Sequence, residues 1–252
     1  MMILGIDASS TDLSVCLFAD GAPLSSVDRY VKNAHAEHIA QAVAAALSLG
    51  GAEAGGVTHI AVSAGPGSFT GLRIGLSFVK GFCMAVERTV LPLSSLLTLA
   101  HAATAGWECG GRSRRIFTAS DARQGRVHWG GFVYNGNDNG GGMRNNIRRL
   151  TEDRLSPPEE LLNELSHNDL LVIDAMGYQR GTVFDAFAGA AQIADARKPP
   201  LRRGLSCAAI AFDSVVNGDN SDSGEFKWLP ASRIVPNYLQ ASAAEEKRAL
   251  CT

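Results

Sequence analysis

Two aspartates each close an apolar run and open a turn: Asp7 after Met2-Ile-Leu-Gly-Ile6, and Asp121 after Ile116-Phe-Thr-Ala-Ser120. A carboxylate at the tip of a buried strand, followed by hydroxyls such as Ser9 and Ser10, can hold a cation-bound phosphate or a water. The same pattern also forms an Asx turn that satisfies local backbone groups. Asp7, Ser9 and Asp121 are therefore the candidates for a nucleotide cleft, with ATP and Mg²⁺ as the ligands that chemistry would take. His35 and His38 stand three apart with Glu37 between them. The helical zinc motifs need their histidines four apart, and no third ligand is near, so a surface or capping role is expected and no metal site. The third chemical feature is Gly65-Pro66-Gly67-Ser68-Phe69-Thr70-Gly71. Glycines, a helix-capping hydroxyl and a following apolar run make an anion cradle conceivable. Its spacing fits neither common fingerprint: the third glycine comes one residue late for a dinucleotide loop, and Leu72-Arg73 replace the Lys-Ser/Thr of a P-loop. No G-x-S-x-G or H-E-x-x-H supports a hydrolase.

These residues must be carried by alternating strands and helices. Residues 2–6, 13–18 and 23–30 read as three strands joined by tight turns, the second turn at Asp20-Gly21. Residues 34–49 read as an alanine-rich helix with an apolar stripe of Ile39, Ala42, Val43, Ala46 and Leu47. A buried strand over 60–64 leads into the glycine turn, and a helix follows from about Gly71 to Val86, capped by Ser68 or Thr70. That helix is apolar on two faces: Leu72, Leu76, Val79, Cys83 and Val86 on one, Gly71, Gly75, Phe78, Phe82 and Ala85 on the other. Its polar stripe is Arg73, Ser77, Lys80, Glu87 and Arg88. A helix apolar around most of its circumference must be covered twice, by its own sheet and by another helix or chain.

The chain of 252 residues carries 23 basic and 25 acidic side chains, net −2, so no basic field is present to hold nucleic acid unaided. Cysteines 16, 83, 109, 207 and 251 form no C-x-x-C pair and read as reduced thiols. No signal-peptide pattern opens the chain and no apolar run reaches the roughly 18 residues of a membrane span, so a cytoplasmic protein without membrane contact is expected.

A strand at 90–93 and a helix from Ser94 or Ser95 to about Ala105 precede the Gly- and Arg-rich stretch 106–115, the expected boundary between subdomains 1–106 and 107–252. Beyond it the opening pattern returns as strand 116–120, Asp121, turn, strand 127–133. This weak repeat at half the chain length suggests duplicated α/β halves. Residues 135–146 form a polar excursion. Ser156 is expected to cap a helix to about Leu165, followed by a strand at 170–173 ending in Asp174 and a glycine turn at 175–178. A helix over 205–216, an extended segment 234–239 and a charged helix or frayed tail over 243–250 complete the chain. The last segment is expected to pack back on the first half.

Ile6-Asp7-Ala8-Ser9-Ser10 with Ser14-Val15, Gly65 through Gly75 (Gly-Pro-Gly-Ser-Phe-Thr-Gly-Leu-Arg-Ile-Gly), Asp121 through Val127, and Pro236-Asn-Tyr-Leu239 occur in an order that resembles the bacterial TsaB (YeaZ) family. The resemblance spans essentially the whole chain. It implies an actin-like ATPase fold (sugar kinase/actin superfamily) of two duplicated α/β subdomains. It also implies a non-catalytic subunit in the formation of threonylcarbamoyladenosine next to the tRNA anticodon. Its implied partners are a TsaD-type catalytic subunit, a TsaE-type ATPase, tRNA indirectly, and a second copy of itself as a homodimer when alone. The partner surface so implied is a bundle of helices 34–49 and 71–86, with Ile39, Val43, Leu72, Leu76, Val79 and Phe82 as contacts and Gly71, Gly75 and Gly81 allowing close approach. Three departures stand out. The histidines are three apart rather than four. Ala8-Ser9-Ser10 replaces the glycine that relatives in the superfamily place after the first aspartate. Gln240 replaces the arginine of the family's closing Tyr-Leu-Arg. A stand-alone actin-fold kinase or ATPase built on Asp7 and Asp121 is the alternative.

Overall fold

A computed structural model describes residues 1–32, 34–104, 113–136, 146–174, 187, 192–195, 202–218 and 226–239. The chain opens as an antiparallel meander of β1 (Met2–Asp7), β2 (Asp12–Ala19) and β3 (Ala22–Tyr30), turned at Asp20-Gly21, both with positive φ. α1 (His35–Leu49), a short 3₁₀ turn (Ala54–Gly56) and β4 (His59–Gly65) follow, then α2 (Phe69–Phe82), β5 (Thr89–Ser94) and α3 (Ser95–Thr104). β4 and β5 run parallel to β1, which places the carboxyl ends of three strands together.

The second half repeats this plan. β6 (Arg114–Arg123) and β7 (Arg126–Tyr134) form a hairpin extended by β8 (Ile147–Arg149) and β9 (Arg154–Ser156), after which α4 (Pro158–Glu164) leads to β10 (Leu170–Ile173). β11 (Gln192–Asp195) and α5 (Arg203–Val216) complete it, and β12 (Leu229–Pro230) with a 3₁₀ turn (Ala231–Arg233) closes the described elements. The sheets run β12-β5-β4-β1-β2-β3 and β11-β10-β6-β7-β8. Without β12, the two orders are the same: a meander edge, the first strand, then two parallel strands. This is the duplicated α/β arrangement that the actin-like reading implied. β12 joins the first sheet by pairing with β5, so the chain's last described strand lies on the first half.

Three apolar layers result. Ile3, Phe18, Leu91, Leu96, Leu97, Ile116, Phe132, Leu205 and Ile210 form one core in which α3 and α5 lie between the sheets. The outer face of the first sheet packs under α1 and α2 through Leu4, Ile6, Val15, Ile39, Val43, Leu76 and Val79. Phe117, Trp129, Leu161 and Phe187 fill the outer face of the second.

Several boundaries differ from expectation. α2 starts at Phe69, two residues before Gly71, because Ser68 is the cap and its hydroxyl accepts the Gly71 N–H. It ends at Phe82 rather than Val86. Asp121 lies within β6 rather than at its end. Ser156 does not cap α4, whose N-cap is Pro157; its hydroxyl sits in β9, accepting the Trp129 Nε1–H at 2.8 Å and donating to the Pro157 carbonyl. Strands β8, β9, β11 and β12 were not anticipated. The turn at 175–178, Gln240, the tail at 243–250 and most of the boundary stretch and polar excursion lie outside the described residues.

Candidate functional site

Asp7 is buried at the carboxyl end of β1, and both of its oxygens are spent inside the chain. Oδ1 accepts the Ser9 N–H at 3.1 Å and the Ser9 hydroxyl at 2.9 Å; Oδ2 accepts the hydroxyls of Ser63, at the end of β4, and Thr98, on α3. Arg203, the first residue of α5, comes to the same place from the second half. It donates to the Ser9 hydroxyl at 3.4 Å and to Asp174 Oδ1 at 2.5 Å, Asp174 being the residue just after β10. Burial works against the guanidinium's charge, but the carboxylates of Asp174, Asp7 and Asp12 outweigh it and raise the Arg203 pKa. The Asp12 pKa is raised as well, but here by burial first, with Asp174, Asp7 and Asp28 adding to it and Arg203 opposing.

A cation at the helix N-terminus of α5 is against the helix dipole, so this placement holds only because carboxylates from both halves surround it. Both Asp7 oxygens are thus engaged by groups of the chain itself, and the cation already beside the cluster is the Arg203 guanidinium. The residues around Asp7 do not fit a Mg²⁺-nucleotide. Asp121 is not part of this cluster. It is half-buried in the β6–β7 hairpin and its Oδ1 accepts the Arg123 N–H at 2.7 Å, an Asx-type turn. His35 is buried at the start of α1 with Nε2 unpartnered, and half-buried His38 leaves Nδ1 unpartnered. Burial lowers the His35 pKa against the pull of the Asp12 backbone and the Asp7 charge.

The glycine turn is not an open cradle. Gly65 has φ of +126°, and a Cβ there would strike the Asn237 carbonyl. Asn237 N–H also donates to the Ala64 carbonyl at 2.7 Å, so the segment after β12 lies across the strand end. A Cβ on Gly67 would strike the Ser9 carbonyl, which accepts the Ser68 N–H at 2.7 Å. The turn's concave side is therefore filled by the chain itself. Tyr238 stacks on Phe69 at 4.8 Å, and Arg73 lies 3.8 Å over the Phe69 ring while its Nε donates to the Tyr238 hydroxyl at 3.0 Å.

The six expected contact residues divide by exposure. Ile39, Val43, Leu72, Leu76 and Val79 are at most 3% exposed, because the strip of α1 and α2 that carries them faces the chain's own core. Such side chains cannot meet a partner while the chain is folded. Gly71 and Gly75 likewise face inward: a Cβ on Gly71 would strike the Ala8 carbonyl, and one on Gly75 would meet Ala8 Cβ. Phe82 is half-buried, and with Ile74 and Phe78 it forms an outward stripe four residues apart; the Phe78 and Phe82 rings stack at 5.9 Å. Beyond the helix the stripe continues into Met84, 88% exposed, and Val86, 48% exposed. Gly81, with nothing near its missing Cβ, is the glycine of the three that leaves room for a neighbour. On the adjoining α1, Ala36, Ala40 and Ala44 are exposed.

Sequence reasoning missed two buried arginines. Arg203 lies just ahead of the helix expected over 205–216, and the expected polar stripe of the helix 71–86 places Arg88 on a solvated face. Arg88 is buried beyond the helix end, and nothing in its sequence setting marks it, since a basic residue after a helix is ordinarily solvated.

Comparison with known proteins adds three findings. The sequence profile of TsaD, tRNA N6-adenosine threonylcarbamoyltransferase, matches residues 27–174, more than half of the chain. Proteins named tRNA threonylcarbamoyladenosine biosynthesis protein TsaB are similar in sequence. That of Escherichia coli K12 is 33% identical over 129 residues, 51% of this chain and 54% of its own length. That of Bacillus subtilis 168 is 32% identical over 134 residues, 53% and 56% of the two chains. The matched segment thus spans about half the length of these relatives. Among solved structures, YeaZ from Pseudomonas aeruginosa superimposes with a TM-score of 0.70 at 24% identity, covering 94% of this chain and 99% of that one, a likeness of fold.

Proposed function

The chain belongs to the family of tRNA N6-adenosine threonylcarbamoyltransferase (TsaD) proteins, on its TsaB (YeaZ) branch, and from that premise we propose that it is a non-catalytic subunit that binds and supports a TsaD-type catalytic subunit. The observation that carries this reading is the outward, half-buried apolar stripe Ile74, Phe78, Phe82 on α2, running on into exposed Met84 and Val86 beside the exposed alanines of α1. Two long helices that already bury one face on their own sheet still present apolar surface outward, and the small residues of α1 let another helix approach. The partner is argued from the family. The stretch that matches the TsaD profile includes both helices, so a TsaD-type protein carries counterparts of α1 and α2 that can meet them helix to helix. A second copy of this chain can use the same surface when no partner is present. A TsaE-type ATPase and tRNA enter through the assembled complex, in the cytoplasm. Among the described residues, no helix is long and apolar enough to cross a membrane.

The filled Asp7 cluster supports the non-catalytic half of the reading, since catalysis and nucleotide would then belong to the partner. Phe78→Glu combined with Phe82→Glu should leave the isolated chain folded, because both rings lie at the margin of the core and neither is fully buried. The same change should abolish co-purification with a co-expressed TsaD-type protein, together with the threonylcarbamoyladenosine content of tRNA in a strain that depends on this chain. A folded double variant that binds normally and restores the modified base would overturn the reading.

A further inference from the structure

The end of α2 is held by a side chain that makes no ion pair in the described structure. Arg88 is 5% exposed, and its four hydrogen bonds all run to backbone carbonyls. Nε donates to Val57 at 2.8 Å, Nη2 to Ala54 at 2.7 Å, and Nη1 to both Phe82 at 3.1 Å and Val86 at 3.0 Å. Three separate pieces of chain are joined in this way: the 3₁₀ turn after α1, the last residue of α2, and the loop that leaves α2. The guanidinium also lies 4.8 Å over the Phe82 ring. It satisfies a carbonyl the helix end would otherwise leave open, and its charge suits the helix C-terminus.

Between the two Nη1 bonds, at Phe82 and Val86, the chain projects Met84, the most exposed large apolar side chain among the described residues, with Val86 beside it. A free loop would let such side chains fold down onto the surface, and ordering it on binding would cost conformational entropy. Held at both ends and tied to the turn after α1, the loop instead presents Phe82, Met84 and Val86 as one preformed apolar knob continuous with the α2 stripe.

We propose that Arg88 is the positioning residue of the docking surface: it fixes the 82–86 loop so that Met84 and Val86 enter an apolar socket on the TsaD-type partner beyond the helix–helix contact. This rests on the docking reading above and adds to it a second region of contact and the residue that preorganises it. Lysine cannot replace Arg88, because one ammonium cannot reach carbonyls in three segments.

The test is a double-mutant cycle on affinity for the purified TsaD-type subunit, using wild type, Met84→Ser, Arg88→Met and the double variant. Arg88→Met should weaken binding by roughly tenfold, Met84→Ser by several-fold, and the double variant little more than Arg88→Met alone, because residues acting as a unit are not additive. Ser156→Ala, which loses the Trp129 bond far from this surface, controls for destabilisation and should bind as wild type at a comparable loss in Tm. Amide exchange of residues 82–87 in the chain alone should quicken in Arg88→Met and Arg88→Lys. Wild type that fails to bind at all would overturn the docking reading itself. Wild type that binds while Arg88→Met binds equally, or while the two losses simply add, would overturn this inference alone.

Discussion

His101 lies on α3 between the two sheets, buried, with Ser206 Oγ 3.1 Å from its Nδ1. Burial pushes its pKa down from 6.5 to about 4. The unfolded chain therefore takes up a proton at this residue as pH falls through 6.5, while the folded chain refuses it until about 4. Stability from the neutral imidazole is fully present above pH 6.5 and is lost on the way down to 4, by about 3 kcal/mol. His128, held at about 4 by burial, acts in the same direction. We expect urea midpoints to fall from pH 7 to 4.5, and His101→Gln to make that fall distinctly shallower while leaving the His128 share. Identical pH slopes in the two proteins would refute the assignment. These effects were not legible in the sequence, because a lone histidine on an apolar helix carries no sign of what covers it. Asp7 was legible as a buried strand-end acid with serines at hand. Its use was not, since Arg203 and Asp174, the groups that decide it, stand far along the chain and meet it only in the folded state.

At the scale of elements, the meander β1–β3, helices α1 and α2 and the parallel strands β4, β5 and β10 could be read from periodicity and turn residues. The short strands β8, β9, β11 and β12 could not, because two to four residues carry no period of their own and these lack the unbroken apolar run that marks the equally short β10. The end of α2 was misplaced because Cys83 and Val86 continue its apolar spacing, whereas the Arg88 bonds turn the chain away after Phe82. The two apolar faces of α2 were both visible, but which one faces inward was not. That distinction has a measurable outcome. Leu76, 2% exposed, should cost about 3 kcal/mol when truncated to alanine, through lost burial and the cavity left behind. Phe78→Ala, on the half-exposed face, should change the urea midpoint far less. Equal losses would mean that the helix is covered on both sides within the monomer, leaving no surface for a partner.

The whole molecule is duplicated in topology, yet its halves do not close their own cores. α5 belongs to the second half in sequence but packs against β1 and β2 of the first sheet, with α3 beside it. The approach is backbone to backbone: a Cβ on Gly5 would strike the Gly204 carbonyl, and one on Gly204 would come within 2.6 Å of the Ser14 carbonyl. Gly204 N–H donates to the Ser14 hydroxyl at 2.8 Å, and Arg203 adds its bonds across the cleft one residue earlier. Without α5, the apolar face formed by Ile3, Cys16, Phe18 and Leu91 would open to water. The chain should therefore unfold in one cooperative step, with tryptophan fluorescence and helical circular dichroism giving the same urea midpoint. Gly5→Ala should lower that midpoint for both probes together, by about 3 kcal/mol, since the added methyl meets main chain that cannot turn aside. Two separated transitions, or a Gly5→Ala effect seen by one probe alone, would show that each half is stable by itself. The shared helix layer would then be a docking of finished domains rather than a common core.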